Sequence, residues 1–336
     1  PDIPLNVSRS ALQTDRRVRS IGSFVAKKVG DRLKELLRED PKRYAEIWES
    51  LAPFIKIGAM EDEKFADQVA DLVLFGTTAA AQEQPNDETD APTSPDPIPG
   101  ADGKAFTTLA GYRSRLAPDH DKRVLYCTDE AGQAGALALW KSQGAEVLLA
   151  DTFIDTQFIP WLEQRHGELK FQRVDSELDD SLQEQESELA DADGKDAAEN
   201  LRDLFRKALA NDKVTLQVQS LKGEQAPAAL ILLPEQMRRI NDFGALMEQR
   251  LPGLPDHHVL LINRRHPLVA GLLKLSSGAI LTTGTAESPS EILAADLSRH
   301  LYDLARLAVG GLEPNQLAGF QQRSSDLMGR LMERLA

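Results

Sequence analysis

The sequence predicts a mixed fold of α+β and α/β character. A helical segment is followed by a small αβα subdomain on a parallel sheet, then by an α+β C-terminal domain ending in a helical hairpin. Three patterns carry this reading. Apolar residues recur at helical steps near the start, strand and helix patterns alternate over 106–174, and two amphipathic stripes close the chain.

At the start, Ile21, Val25, Val29, Leu33 and Leu36 recur at steps of three and four, so 8–39 reads as helical. Asp40-Pro41 restarts the chain, with Asp as N-cap and Pro at the first helical position. A second helix carries Tyr44, Ile47, Trp48 and Leu51. A third begins near Glu61-Asp62 with Phe65, Val69, Leu72 and Val73, which makes 1–75 a helical unit. From Arg9 to Arg43 there are eleven Lys/Arg against five Asp/Glu, so this unit is basic within a chain of net charge −14. The acidic total argues against nucleic acid as the main partner. No run approaches the roughly 18 apolar residues of a membrane span.

Residues 79–104 hold five prolines, six acids and one lysine, the composition of a flexible acidic linker. It is either a plain solvated insertion or a regulatory segment. From 106 the pattern alternates: a short helix over Phe106–Leu116, then strand Val124–Cys127, helix Glu130–Gln143, strand Glu146–Ala150, helix Thr152–Gln164 and strand Leu169–Val174. That order implies a small parallel sheet. Neither G-x-G-x-x-G nor G-x-x-x-x-G-K-[ST] occurs, and the turn Thr128-Asp129-Glu130-Ala131 offers carboxylates where a phosphate needs amides and cations. A second acidic stretch, 175–199, has eleven acids and one lysine, with a helix growing from it near Asp196–Leu209.

Residues 213–220, 228–233 and 259–263 read as strands, with a helix over 234–250. Ser288-Pro289-Ser290-Glu291 is a capping box, and Leu293, Leu297, Leu301, Leu304 and Ala308 form a stripe that Gly310-Gly311 ends. The last helix carries Leu317, Phe320, Leu327, Leu331 and Leu335, beside Met328 and Met332. Two helices alone cannot bury such stripes, so a four-helix bundle with a second copy is expected.

Signals for chemistry are few. Cys127 stands alone, excluding an intramolecular disulfide, and reads as an inert core thiol. Six histidines, at 120, 166, 257, 258, 266 and 300, show no metal-ligand spacing, and no nucleophile elbow is present. No metal site is expected. Arg9 and Gln13 stand one turn apart, either as a solvated pair or as a guanidinium placed to bridge phosphate oxygens. Met237, Ile240, Phe243 and Met247 lie within about 120° of arc, as a core face or an adaptable binding surface. Pro1-Asp2-Ile3-Pro4 lacks both an initiator Met and a leader pattern, which suggests a piece of something longer.

Six segments in order resemble the heat-shock protein 90 family of chaperones, bacterial HtpG type. Leu5-Asn6-Val7-Ser8-Arg9 with Leu12-Gln13 resembles L-N-[VL]-S-R-E-x-L-Q, with Ser10 where the family has Glu. Lys27-Lys28-Val29, Tyr44 with Trp48, and Lys56-Ile57-Gly58 with Glu61-Asp62 follow. Leu261-Ile262-Asn263 with His266-Pro267-Leu268-Val269, and Leu301-Tyr302-Asp303 with Gly310, complete the set. Two stretches depart from the family: the 79–104 insertion is long, and Ser220–Ala228 replaces S-R-L-x-x-S-P-A.

The resemblance implies the end of a middle domain plus a C-terminal domain. Its parts would be 1–78 (catalytic-loop remnant and helices), 79–104 (insertion), 105–175 (αβα subdomain), 176–200 (hinge) and 201–336 (dimerisation and client binding). Arg9 and Gln13 would serve ATP held in an absent N-terminal domain, Arg9 stabilising charge during phosphoryl transfer. The chain alone would then be no enzyme and need no cofactor, while the full-length protein would use ATP and Mg. Met237, Ile240, Phe243 and Met247, with Phe158 and Trp161, would contact clients. Leu293, Leu297, Leu301, Leu304, Leu317, Phe320, Leu327 and Leu331 would form the dimer interface. Implied partners are a second copy, unfolded clients and the N-terminal ATPase domain, without nucleic acid or membrane, in the cytoplasm. The rival readings are an α/β phosphosugar or nucleotide enzyme with a helical oligomerisation tail, and a bare dimerisation scaffold.

Overall fold

A computed structural model describes residues 16–81, 97–116, 122–176, 182, 192–223, 226–233, 257–279, 288–309, 311–312 and 314–335. Arg9, Gln13 and the helix read over 234–250 lie outside the described residues. The chain divides into two compact units, Pro1–Val124 with Leu148–Phe171, and Leu125–Val147 with Gln172–Ala336.

The first unit opens with helices α1 (Arg16–Glu39), α2 (Pro41–Glu61) and α3 (Glu63–Val69). Asp40 caps α2 through Arg43 N–H, with Pro41 in the first turn, as the sequence reading has it. Asp62 ends α2 and caps α3 by accepting from Phe65 N–H. Tyr44 and Trp48 are buried with ring centroids 5.6 Å apart, and Tyr44 Oη donates to Leu72 O at 2.9 Å. Burial pushes the Tyr44 hydroxyl well above the usual phenol range.

The helical reading runs too far at this point. After Val69 the chain makes a 3-10 turn over Ala70–Leu72 and enters strand β1 (Leu74–Thr77). Val69, Leu72, Val73, Leu74 and Phe75 are all buried, and periodicity cannot type a continuous apolar run. β2 (Ile98–Pro99) emerges from what read as linker, followed by β3 (Ala105–Thr108). Phe106–Leu116 is thus strand first and helix second. Thr107 and Thr108 suit a pleated strand, and Thr108 then caps α4 (Leu109–Arg115) by accepting from Gly111 N–H.

These strands run in the order β2-β3-β1-β5, with β5 at Leu148–Leu149, and every neighbouring pair is antiparallel. Gly76 has a steric reason, since a Cβ there would stand 3.0 Å from Leu149 Cβ. The sheet is therefore mixed: beside the small parallel sheet expected from 124–174, it has antiparallel strands β1, β2 and β3. Parallel character sits in β4 (Arg123–Cys127) and β6 (Lys170–Arg173), where Lys170 N–H donates to Lys122 O and Val174 N–H to Tyr126 O. The antiparallel strands escaped notice because two are short and proline or glycine interrupts the pattern.

Helix α6 (Asp155–Arg165) is pinned at both ends. Lys56 Nζ meets Asp155 Oδ1 at 2.5 Å, with both side chains at most 4% exposed. The Lys56 ammonium also lies 5.1 Å from the Phe75 ring centroid and 5.7 Å from that of Phe158. At the far end Arg165 pairs with Asp67 of α3. Phe158 is fully buried in this packing. Its ring packs against Lys56, Phe75 and Trp161, so the expected client contact at Phe158 would need this packing to open.

The second unit carries α5 (Ala134–Ser142), α7 (Ala192–Leu209) and a sheet of β7 (Val214–Gln219), β8 (Ala229–Leu232) and β9 (His258–Asn263). The order is β7-β9-β8, with β7 parallel and β8 antiparallel to β9. Helices α8 (Pro267–Ala279), α9 (Pro289–Ala308) and α10 (Pro314–Leu335) follow. The sequence reading missed α8, whose glycines and serines dilute the helical signal. Its start is capped by His266, whose Nδ1 accepts from Leu268 N–H at 3.2 Å. Leu201, Phe205, Leu260, Ile262, Val269 and Tyr302 make the core.

The turn after β4 satisfies itself. Gln133 Oε1 accepts from Thr128 N–H at 2.9 Å, and Asp129 Oδ1 accepts from the amides of Ala131 and Gly132 at 3.1 and 3.0 Å. The amides that a phosphate would use are taken. Cys127 is buried, and burial pushes its thiol up to about 11, so it is a protonated core residue at neutral pH.

Candidate functional site

The hairpin of α9 and α10 gathers most of the described residues that the sequence reading placed in an interface. Helix α9 begins at the anticipated capping box: Ser288 Oγ accepts from Glu291 N–H, and the Glu291 carboxylate accepts from Ser288 N–H at 2.8 Å. This fixes where the stripe starts.

The stripe serves two faces. Leu301 lies in the unit's own core beside Tyr302 and Ala305. Leu304, about 60° away around the axis, is 44% exposed. Leu293 and Leu297, on the same side of the helix as Leu304, are half-buried. On α10, Leu327 is buried, Phe320 is half-buried and Leu317 is exposed. The side chain of Leu331 lies outside the described ones. Pro289, Ile292, Leu293, Leu297, Leu327 and Arg330 line an apolar groove of about 540 Å³. Ile292, Leu307, Met328 and Met332 are exposed too; the sequence reading set Met328 and Met332 beside the α10 stripe but named none of the four among the expected interface residues. Their signal was present, since all four are large apolar residues on amphipathic helices.

Polar and aromatic contacts hold the hairpin. Arg323 pairs with the buried Asp303, and Arg330 reaches Asp296 at 3.2 Å. Arg306 donates to Gly311 O at 2.8 Å and to Gln316 Oε1 at 2.6 Å, closing the loop. His300 stacks on Phe320, with centroids 4.9 Å apart and rings 2° from parallel. The two helices are thus fixed to each other without consuming the exposed apolar face.

Burial holds the His300 pKa below its usual 6.5, with Asp303 pulling it up and Arg323 pushing it down. Folded protein therefore binds this proton less readily than unfolded chain. The contribution to stability is complete above about pH 6.5 and is lost as pH falls through that value toward the lowered folded pKa. Unfolding midpoints measured from pH 7.5 to 5 should drop, and His300→Phe should flatten that dependence. An unchanged slope in the variant would remove His300 as its source.

Trp161, in the first unit, is half-buried. It stacks on Phe158 at 5.1 Å, with Arg165 5.6 Å from its ring centroid. Among the described residues, no group of three or more His, Cys, Asp or Glu is placed to hold a metal, and no helix is long and apolar enough to cross a membrane.

The sequence model described as "Hsp90 protein" matches residues 1–86 and 100–334. The gap falls within the acidic insertion. The chain is similar to a protein named "Chaperone protein HtpG" from Porphyromonas gingivalis, 35% identical over 289 residues, which cover 81% of this chain and 38% of that protein. A relative of the same name from Bacteroides fragilis is 31% identical over 283 residues, with the same coverage of 81% and 38%. One from Chromobacterium violaceum is 28% identical over 337 residues, covering 97% of this chain and 47% of the relative. The chain thus spans less than half the length of these relatives. Matched by the family model over nearly its whole length, it belongs to the Hsp90 family, bacterial HtpG type.

Proposed function

We propose that this chain is the dimerising, client-contacting part of an ATP-dependent molecular chaperone. The observation that carries the reading is the exposed apolar face of α9 and α10. Leu304, Leu317, Met328 and Met332 are 38–71% exposed on helices whose own contacts are already satisfied. Contiguous apolar surface of this kind marks a protein interaction site, and a self-complementary face on two antiparallel helices suits a two-fold axis. The relatives' name supports the chaperone class.

In this reading Arg9 and Gln13 act on ATP and Mg held by an N-terminal domain, and the chain alone turns over no substrate. Clients meet Met237, Ile240, Phe243 and Met247, with Trp161 as a contact in the first unit. The protein works in the cytoplasm. The self-capped turn at Asp129 counts against the phosphate-enzyme alternative. Light scattering on the chain at micromolar concentration should give twice the chain mass, and a monomer would overturn the dimer reading.

A further inference from the structure

A groove of about 660 Å³ in the first unit runs between the end of α2, the start of α3 and the end of α6. Its apolar side is Met60 and Trp161, and both are half-buried. Its rim carries Glu61 and Glu63, both exposed. The guanidinium in the lining, Arg165, is engaged by Asp67 and packs against the Trp161 ring, so its charge is already answered. His166 closes the end.

The walls are rigid for stated reasons. The buried Lys56–Asp155 pair fixes the start of α6 to α2, and the Arg165–Asp67 pair fixes its end to α3. Phe158 stacks beneath Trp161 and sets its ring. A ligand entering here would meet a preformed surface and lose little to ordering of the protein.

We propose that this groove binds segments of non-native protein in which a large apolar side chain is flanked by Lys or Arg. The apolar group seats against Trp161 and Met60, and the cations reach Glu61 and Glu63. Charge complementarity selects this occupant: an acidic rim over an apolar wall repels carboxylate-rich segments and attracts basic ones. The proposal rests on the client-contact reading and names the client chemistry, at a place other than the helix 234–250.

The test uses the full chain and a short fluorescein-labelled peptide of leucine, phenylalanine and lysine. A matched peptide has glutamate in place of lysine. Anisotropy at physiological salt should show binding of the lysine peptide only. Glu61→Gln with Glu63→Gln should weaken it about three- to tenfold, as two partly exposed charge pairs would. Asp31→Asn with Asp212→Asn removes the same charge elsewhere and should leave binding unchanged. Circular dichroism establishes that both variants fold. Equal binding of the glutamate peptide, equal loss in the Asp31/Asp212 variant, or no loss in the Glu61/Glu63 variant would each overturn the groove. Suppression of a model protein's aggregation, read on the same samples, separates the two ideas. If wild type suppresses aggregation but ignores the lysine peptide, the groove alone fails. If wild type does neither, the client reading fails with it.

Discussion

Lys56→Met is expected to lower the stability of the first unit by about 3–5 kcal/mol, because it leaves the Asp155 carboxylate buried without its cation. Both side chains are at most 4% exposed. Asp155 would keep only the Thr152 amide at 3.2 Å and hydroxyl at 2.6 Å. Two hydrogen bonds do not replace a charge at low dielectric. Removing both partners should be far milder. Lys56→Met with Asp155→Leu should recover most of the loss, leaving about 1 kcal/mol from the turn bonds to Thr152. Urea unfolding followed by tryptophan fluorescence reads this directly. Equal losses in the single and double variants would show that packing around Phe75 and Phe158, rather than the charge pair, sets the effect.

If the α9–α10 face pairs two copies as proposed, Leu304→Glu combined with Met328→Glu should leave the chain a monomer. The two side chains are 44% and 58% exposed in the single chain, so charges there are solvated and the fold should persist. In a two-fold dimer that buries the α9–α10 face, four carboxylates would enter one apolar interface without partners. Burying an unpaired charge costs several kcal/mol, and about 1.4 kcal/mol is a tenfold change in affinity. A loss of more than a thousandfold is the expected outcome. Light scattering should give the single-chain mass, and the thermal midpoint should cease to depend on protein concentration. A mass that stays doubled, with the circular dichroism unchanged, would place the contact elsewhere.

The legible parts of the fold were those with local chemistry of their own. Asp40-Pro41 and Ser288 with Glu291 announced helix starts that the structure has in the same places. The three strands of the second unit matched their alternating or fully apolar runs within about a residue. The segments that misled were ambiguous in isolation. Leu72–Phe75 is apolar throughout, and Phe106–Leu116 fits a helix at Leu109 and Tyr112 and a strand at Thr107. Pairing of Phe75 with Thr107 decided both, and a pairing across more than thirty residues leaves no trace in either segment alone.

The candidate sites divide the same way. Which residues are apolar and recur on one helix face was readable, and so was the family. How far each one is exposed was not. Phe158 and Trp161 look alike in sequence. One is wholly buried by Lys56 and Phe75, and the other borders an open groove.

The sequence by itself determined the family, the helix boundaries set by caps, the acidic balance and the apolar stripes. Each of these depends on residue type and on neighbours within a turn or two. Only the tertiary structure decided that the first sheet is partly antiparallel, that Lys56 finds Asp155, and that the α9 stripe splits between core and surface. Those outcomes depend on which distant segment arrives to pair, neutralise or cover a side chain. The free energy of burial belongs to that meeting rather than to the residue.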